Sequence, residues 1–316
     1  MTKVAYYPGC SLLGSSREYD ESLRAIAKPM GIELAEVPDW NCCGASSAHT
    51  LNHELSLALP ARILSLAETL GTEEMVVPCA ACYNRLAVAR HDLMESAELR
   101  ARIGEITGIE YRGTVKPMNI LEFLAKHADS FKDKVAAPFD KDVACYYGCL
   151  LVRPPKVLQY DRIEDPRSMD DLVEMIGAKG LDWPFKVECC GAGHSISKTE
   201  LVGKLSAKIV GSAVKSGAQA IVVACPMCHS NLDMRRNFIN RAAGEKLTIP
   251  VIYITQAIGL AMGLGEKELG LRRHIVKVKF PEKVRVEPEV KPKAAAAAAA
   301  ATAAAPAAQT EQTEEA

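Results

Sequence analysis

The chain has 316 residues, 38 basic against 39 acidic for a net charge of −1, with 48% hydrophobic and 5% aromatic residues. That length has room for about two domains of roughly 150 residues, and the balanced charge excludes a nucleic-acid-binding protein, which needs basic surface to neutralise phosphate. Residues 1–10 hold no basic region followed by an apolar core, so no cleaved secretory signal is expected. The longest mostly apolar stretch, residues 251–264, is 14 long and broken by Thr255 and Gln256, short of the 18 or so that a membrane span requires. A cytoplasmic chain with no membrane span is therefore expected. In that reducing compartment eleven cysteines point to metal binding or redox chemistry rather than to disulfides.

Taken in chain order, residues 3–7 read as a short strand. Tyr19, Leu23, Ile26 and Met30 then recur at +4, +3 and +4, one face of a helix closed by Gly31. Leu59, Ile63, Leu66 and Leu70 repeat that spacing ahead of Gly71, with Pro60 expected near the helix start, where a missing N–H costs nothing. Residues 75–77 form an apolar run that leads into Cys79. Later, Val202, Leu205, Ile209 and Ala213 mark a matching helix before Gly217, and residues 220–223 a matching strand. Strands alternating with helices predict an α/β fold of small, mostly parallel sheets flanked by helices. In such folds the loops at the carboxyl ends of the strands carry the chemistry, and Cys10, Cys79, Cys149 and Cys225 fall there. After Phe280 the pattern stops, and residues 281–316, with an unbroken alanine run at 294–301, read as a disordered Ala-rich tail.

The chain repeats itself. Val76-Val77-Pro78-Cys79-Ala80-Ala81-Cys82 is answered by Val222-Val223-Ala224-Cys225-Pro226-Met227-Cys228 at an offset of 146, and Cys42-Cys43-Gly44-Ala45 by Cys189-Cys190-Gly191-Ala192 at 147. Tyr6-Tyr7-Pro8-Gly9-Cys10 is answered by Tyr146-Tyr147-Gly148-Cys149 at 139, which implies an insertion of about eight residues in the second copy. Two homologous domains related by a pseudo-two-fold duplication are expected, residues 1–138 and 139–280.

Within each half the cysteines keep one order: a lone Cys, then Cys-Cys-Gly, then Cys-x-x-Cys. A structural zinc takes four thiolate or imidazole ligands, so five thiols per half exceed it by one, whereas a polynuclear iron-sulfur cluster can use an extra thiolate. Five thus favours an iron-sulfur cluster, with zinc in one half left open. Adjacent cysteines in extended backbone point to opposite faces, and Gly44 and Gly191 are expected to turn the chain and remove Cβ bulk beside inorganic sulfide. Cys145 falls outside both sets and reads as a buried apolar thiol.

This twice-repeated pattern, with Cys145-Tyr146-Tyr147-Gly148-Cys149-Leu150-Leu151-Val152-Arg153-Pro154-Pro155 between, resembles the cysteine-rich (CCG) domain of the heterodisulfide reductase B subunit over residues 1 to about 265. The resemblance implies one noncubane 4Fe-4S cluster per half, held by Cys10, Cys42, Cys43, Cys79 and Cys82 and by Cys149, Cys189, Cys190, Cys225 and Cys228. It also implies a catalytic iron-sulfur oxidoreductase that reduces a disulfide to two thiols, or the reverse, between the two clusters. The alternative is a non-catalytic electron-transfer or scaffold subunit with one cluster and one zinc. No ferredoxin run and no G-x-G-x-x-G fingerprint occurs in the sequence, so the resemblance implies partners: a ferredoxin-like iron-sulfur C subunit and a flavin-bearing A subunit. His194, four residues after Cys190, and His229, next to Cys228, are the candidate proton donors to a departing thiolate.

Overall fold

The computed structural model describes residues 1–45 and 48–283. The tail expected to be disordered lies outside the described residues from 284 onward. The first half carries strands β1 (Thr2–Tyr6), β2 (Ile32–Glu36), β3 (Glu74–Val77) and β4 (Lys116–Asn119), all parallel, in the order β2-β1-β3-β4. The second half carries β5 (Asp142–Tyr146), β6 (Lys179–Gly180), β7 (Ala220–Val223) and β8 (Val251–Tyr253), also parallel, in the order β6-β5-β7-β8. The two orders are the same, so the internal duplication extends from the cysteines to the topology. Helices cover both faces of each sheet, which is why β7 and β8 are continuous apolar runs rather than alternating ones.

Strand register fixes the alignment of the copies. Tyr6 pairs with Val76 and Cys145 with Val222; because Val76 and Val222 are equivalent, Tyr6 matches Cys145 and Tyr7 matches Tyr146. That is the offset of 139 seen in the sequence. The insertion lies where the drift in offsets put it, since residues 7–31 connect β1 to β2 but residues 147–178, seven more, connect β5 to β6. In each sheet the chain goes from its first strand to one side and then crosses to the other. The crevice outside the carboxyl ends of β1 and β3, and of β5 and β7, is therefore the topological switch point at which open α/β sheets bind ligands.

The helix Arg17–Ala27 buries Tyr19, Leu23 and Ile26 as their spacing requires. The next long helix departs from expectation, because it runs His53–Glu68 and holds Pro60 inside rather than at its start. Asn52 caps it early, accepting from the Leu55 N–H at 2.8 Å, and the fixed φ of proline is itself helical, so only the bond to the carbonyl one turn back is lost. The halves meet through a symmetric pair of helix contacts. Arg17–Ala27 packs on Ile254–Ala261, and Ile120–Lys126 packs on Ser168–Met175; each pair joins a helix between a half's first two strands to one that follows the other half's fourth strand. Ser22 Oγ and Thr255 Oγ1, 2.7 Å apart, tie the first pair across the seam, and one continuous apolar core runs through both halves.

Candidate metal centres

All ten repeated cysteines stand at the carboxyl ends of strands. Cys10 lies in the short helix Gly9–Leu13 directly after β1. Cys79 and Cys225 are the N-cap residues of the helices Ala80–Glu95 and Pro226–His229, with Cys82 and Cys228 in the first turn. A Cys-x-x-Cys at a helix start sends both sulfurs to the same end, where the helix dipole favours negative charge. In the loops after β2 and β6 the adjacent cysteines diverge as extended backbone requires: Cys42 and Cys189 are exposed, Cys43 and Cys190 buried.

The same contacts occur in both halves. Cys43 Sγ lies 3.2 Å from Cys82 Sγ and Cys190 Sγ lies 3.7 Å from Cys228 Sγ. The Gly44 N–H donates to Cys42 Sγ at 3.4 Å, and the Gly191 N–H to Cys189 Sγ at 3.3 Å. Tyr7 donates its hydroxyl to the Asn41 carbonyl at 2.9 Å, and Tyr146 donates to the Glu188 carbonyl at 2.6 Å, so each tyrosine ties down the residue just before the paired cysteines. Burial pushes both phenols well above their ordinary range, which keeps them protonated as donors.

The glycines act differently from expectation. Gly44 and Gly191 have φ of +75° and +80°, but a Cβ there would meet Ala48 and Leu59, or Leu205 and Val202, rather than the thiols. They let the loop turn and press against the following helix. The glycines that make room beside sulfur are Gly9 and Gly148, with φ of +64° and +68°, where a Cβ would lie 3.2 Å from Cys82 Sγ and 3.0 Å from Cys228 Sγ.

The electrostatics say what the donor set wants. A hydrogen bond from Cys42, then one from Cys82, holds Cys43 down to about 3, while Cys42 is pushed up in exchange. Cys149 likewise holds Cys189 down to about 6, and is itself pushed up. Without positive charge among them these thiols ionise only in part, each thiolate raising its neighbours. Five closely spaced soft donors per half, with backbone N–H groups aimed at sulfur and no Cβ at Gly9 or Gly148, fit a thiophilic polynuclear centre. Cys79 and Cys225, one from each half, are close enough that Cys225 is the largest influence raising Cys79, so the two constellations face each other across the seam. Cavities of about 360 and 330 Å³ lie elsewhere, one beside Gly71 and His127, the other beside His274, and neither is lined by a cysteine.

The structure separates the two candidate histidines. His194, in the exposed turn Ala192–His194, stands near Cys189, and its charge favours the Cys189 thiolate. His229 is buried in a polar chain instead. Gln256 accepts from the Tyr253 N–H and donates to the Leu269 carbonyl, which fixes its amide so that Nε2 also donates to His274 Nε2 at 2.9 Å. His274 must then carry its proton on Nδ1 and donate it to His229 Nε2 at 3.1 Å. His229 Nδ1 is left 3.7 Å from Glu18 Oε1. Cys145 is fully buried within β5, and its carbonyl accepts from Trp183 Nε1. Sequence reasoning missed Tyr7, Tyr146 and Asn231; the first two carried one signal, a tyrosine three residues before each lone cysteine in both repeats.

Among the described residues no helix is long and apolar enough to cross a membrane. The cysteine-rich domain family designated CCG matches residues 4–87 and 143–233. The 8-methylmenaquinol:fumarate reductase membrane anchor subunit of Wolinella succinogenes is 33% identical over 87% of this chain and 97% of its own length. The B subunit of the ferredoxin:CoB-CoM heterodisulfide reductase of Methanosarcina mazei is 31% identical over 90% of this chain and 97% of its own. A ferredoxin/F(420)H(2)-dependent counterpart from Methanosarcina acetivorans is 30% identical, with 90% and 97% covered. A crystal structure of a hypothetical protein from Helicobacter pylori superposes with a TM-score of 0.69 at 15% identity over 89% of this chain; the chain spans 53% of that protein, and the likeness is one of fold.

Proposed function

The chain belongs to the cysteine-rich CCG family, in the group that holds the heterodisulfide reductase B subunits, and from that membership we propose that it is the catalytic subunit of a heterodisulfide-reductase-like complex. Its reaction is the reduction of a disulfide to two thiols, or the reverse. The supporting observation is that two five-thiol constellations, built alike, face each other where Cys79 meets Cys225. Residues 1–138 and 139–280 act as two domains that contribute one cluster each. Cys10, Cys42, Cys43, Cys79 and Cys82 hold the first noncubane 4Fe-4S cluster, and Cys149, Cys189, Cys190, Cys225 and Cys228 the second. When bound, such clusters deliver single electrons and offer iron that binds sulfur well.

The chain's own residues supply position and protons. Gly44 and Gly191 turn the loops so that Cys42 and Cys189 stand exposed on the reacting face while Cys43 and Cys190 anchor below. Reduction breaks one S–S bond and forms two S–H bonds, consuming two electrons and two protons. His194, exposed beside Cys189, is placed to pass protons from solvent to a departing thiolate. His229, engaged with His274 and Glu18, keeps the Cys228 turn in place as its nearer task. The electrons come from partner chains, a ferredoxin-like iron-sulfur C subunit and a flavin-bearing A subunit, in a cytoplasmic assembly.

A second reading has one specific support. The relative from Wolinella succinogenes is named for a fumarate reductase, an activity that involves no disulfide, yet it matches this chain over nearly its whole length. An electron-transfer subunit with one iron-sulfur cluster and one zinc, and no disulfide substrate, accounts for that. Metal and acid-labile sulfide analysis after anaerobic purification separates the two. About eight irons and eight sulfides per chain, with an EPR signal that changes on adding a disulfide, support the first reading; about four irons with one zinc and no response to disulfides support the second.

A further inference from the structure

The two halves differ at the buried thiol of the paired cysteines. In the second half Asn231 is fully buried, with Nδ2 3.0 Å from the Cys190 carbonyl and 3.5 Å from Cys190 Sγ. Its Oδ1 accepts from Ser195 Oγ at 2.8 Å and from Arg235 Nε at 3.2 Å. A guanidinium only donates, so Arg235 fixes which way the amide points, with oxygen toward the arginine and N–H toward the sulfur. Arg235 Nη2 also donates to the Ser195 carbonyl, holding the set together. The positive charge behind Oδ1 polarises the amide and strengthens the N–H···S contact.

At the matching place in the first half, 146 residues earlier, stands Arg85. Its Nη2 donates to Asn84 Oδ1, and Asn84 Nδ2 donates to the carbonyls of Leu150 and Arg153, in the loop that follows Cys149. The first half's arginine–asparagine pair thus braces the other half's loop. Among the described residues the partners of Cys43 Sγ are the Cys42 and Cys82 thiols and backbone N–H groups. The backbone explains the difference. Helix Ala80–Glu95 is regular, whereas Pro226–His229 leads into a π-helical turn, Ser230–Met234, which rotates residue 231 relative to residue 85.

We propose that Asn231, oriented and polarised by Arg235, is a positioning residue that raises the reduction potential of the cluster held by the second half, so that the second centre is reduced before the first. This rests on the reading that each half binds an iron-sulfur cluster. A donor to a cluster sulfur stabilises the reduced, more negative state more than the oxidised one.

The test is a dithionite redox titration of the intact chain followed by EPR. The wild type is expected to show two one-electron waves, and Cys43→Ser to keep the higher one, which assigns it to the second half. Asn231→Leu, which keeps the volume and loses the N–H, is expected to lower that wave by about tenfold in the oxidised-to-reduced ratio, ~59 mV for one electron, and to leave the other in place. An exchangeable-proton coupling seen by ENDOR in the second centre, replaced in D₂O, should vanish in the same variant. If Asn231→Leu loses its iron, Arg235→Leu decides, since it leaves the Asn231 N–H in place while removing the polarising charge and the two hydrogen bonds of Arg235, and it should move the same wave the same way by less. A single wave in a wild type that carries about eight irons, a higher wave unmoved by Asn231→Leu with iron retained, or two waves that shift together would overturn this inference while leaving two clusters in place; a single wave with about four irons would overturn the two-cluster reading on which it rests. A wild type with no iron-sulfur signal would overturn the proposed function itself.

Discussion

At position 9 a left-handed backbone and a neighbouring sulfur both demand a residue without a Cβ, and position 148 repeats the demand. Gly9→Ala imposes on the order of 1 kcal/mol of backbone cost and also pushes the Cys82 sulfur, which lies 3.2 Å from the added carbon. The expected outcome is loss of iron from the first half with the second half filled, read as about half the wild-type iron per chain; a full iron content would refute it. Cys43→Ser should give the same half-filling by removing a ligand directly, and Cys190→Ser its mirror. Loss of both centres from either change would mean that folding, not ligation, had failed. These residues show what the sequence reveals at this scale. Cysteines are legible because type and spacing carry their chemistry, whereas Tyr7 works through a hydroxyl that reaches a carbonyl 34 residues away, and only its repetition as Tyr146, three residues before each lone cysteine, sets it apart from a core tyrosine. Gly44 and Gly191 were legible as turns, but not as the residues whose missing Cβ lets a helix press close.

Helices and strands were legible wherever apolar spacing was strict. The Tyr19, Leu23, Ile26 face and the runs at β3 and β7 all lie where their periodicity put them. The start of helix His53–Glu68 was not, because the cap at Asn52 lies ahead of the apolar repeat and Pro60 looked like a boundary. The π-helical turn Ser230–Met234 has no signature in residue type, since it depends on the packing around it. One close helix contact can be tested at this scale. Gly203, in helix Thr199–Lys215, abuts Phe238 of helix Arg236–Ala243, and a Cβ there would lie 2.9 Å from Phe238 Cβ and 3.0 Å from its carbonyl oxygen. Alanine is the better helix former by about 1 kcal/mol, but the contact is partly with backbone, which yields less than a side chain. Gly203→Ala should therefore lower stability by about 1–3 kcal/mol net of that gain, seen as an earlier urea midpoint under argon. An unchanged or later midpoint would show that the two helices separate freely.

The two halves work as one molecule because buried polar groups, not only apolar ones, cross the seam. Glu18 on helix Arg17–Ala27 of the first half faces His229, which stacks on Tyr253, while Tyr253 stacks on Tyr19 of the first half with ring centroids 3.9 Å apart. The segment after helix Ile254–Ala261 closes over this seam: Gly270 approaches Glu18 so closely that a Cβ would sit 2.7 Å from its Cα, and His274 completes the chain to His229. Burial holds His274 down to about 4 from an ordinary 6.5, and pushes His229 down as well. Between pH 6.5 and about 4 the unfolded chain therefore binds protons here that the folded chain does not. Stability from these histidines is fully present above pH 6.5 and falls as the pH drops through that window, on the order of 3 kcal/mol for His274 over the whole interval. Glu18 and Asp233, pushed up by burial, act with the opposite sign, and Arg236 stays charged beside them. The measurement must accordingly isolate one group. His274→Gln keeps a neutral hydrogen-bonding side chain and removes the titration, so its urea midpoint should decline less between pH 7 and pH 5 than that of the wild type. Equal declines would mean that His274 accepts its proton inside the folded protein, and that the chain from Gln256 to Glu18 does not lock the seam in one protonation state.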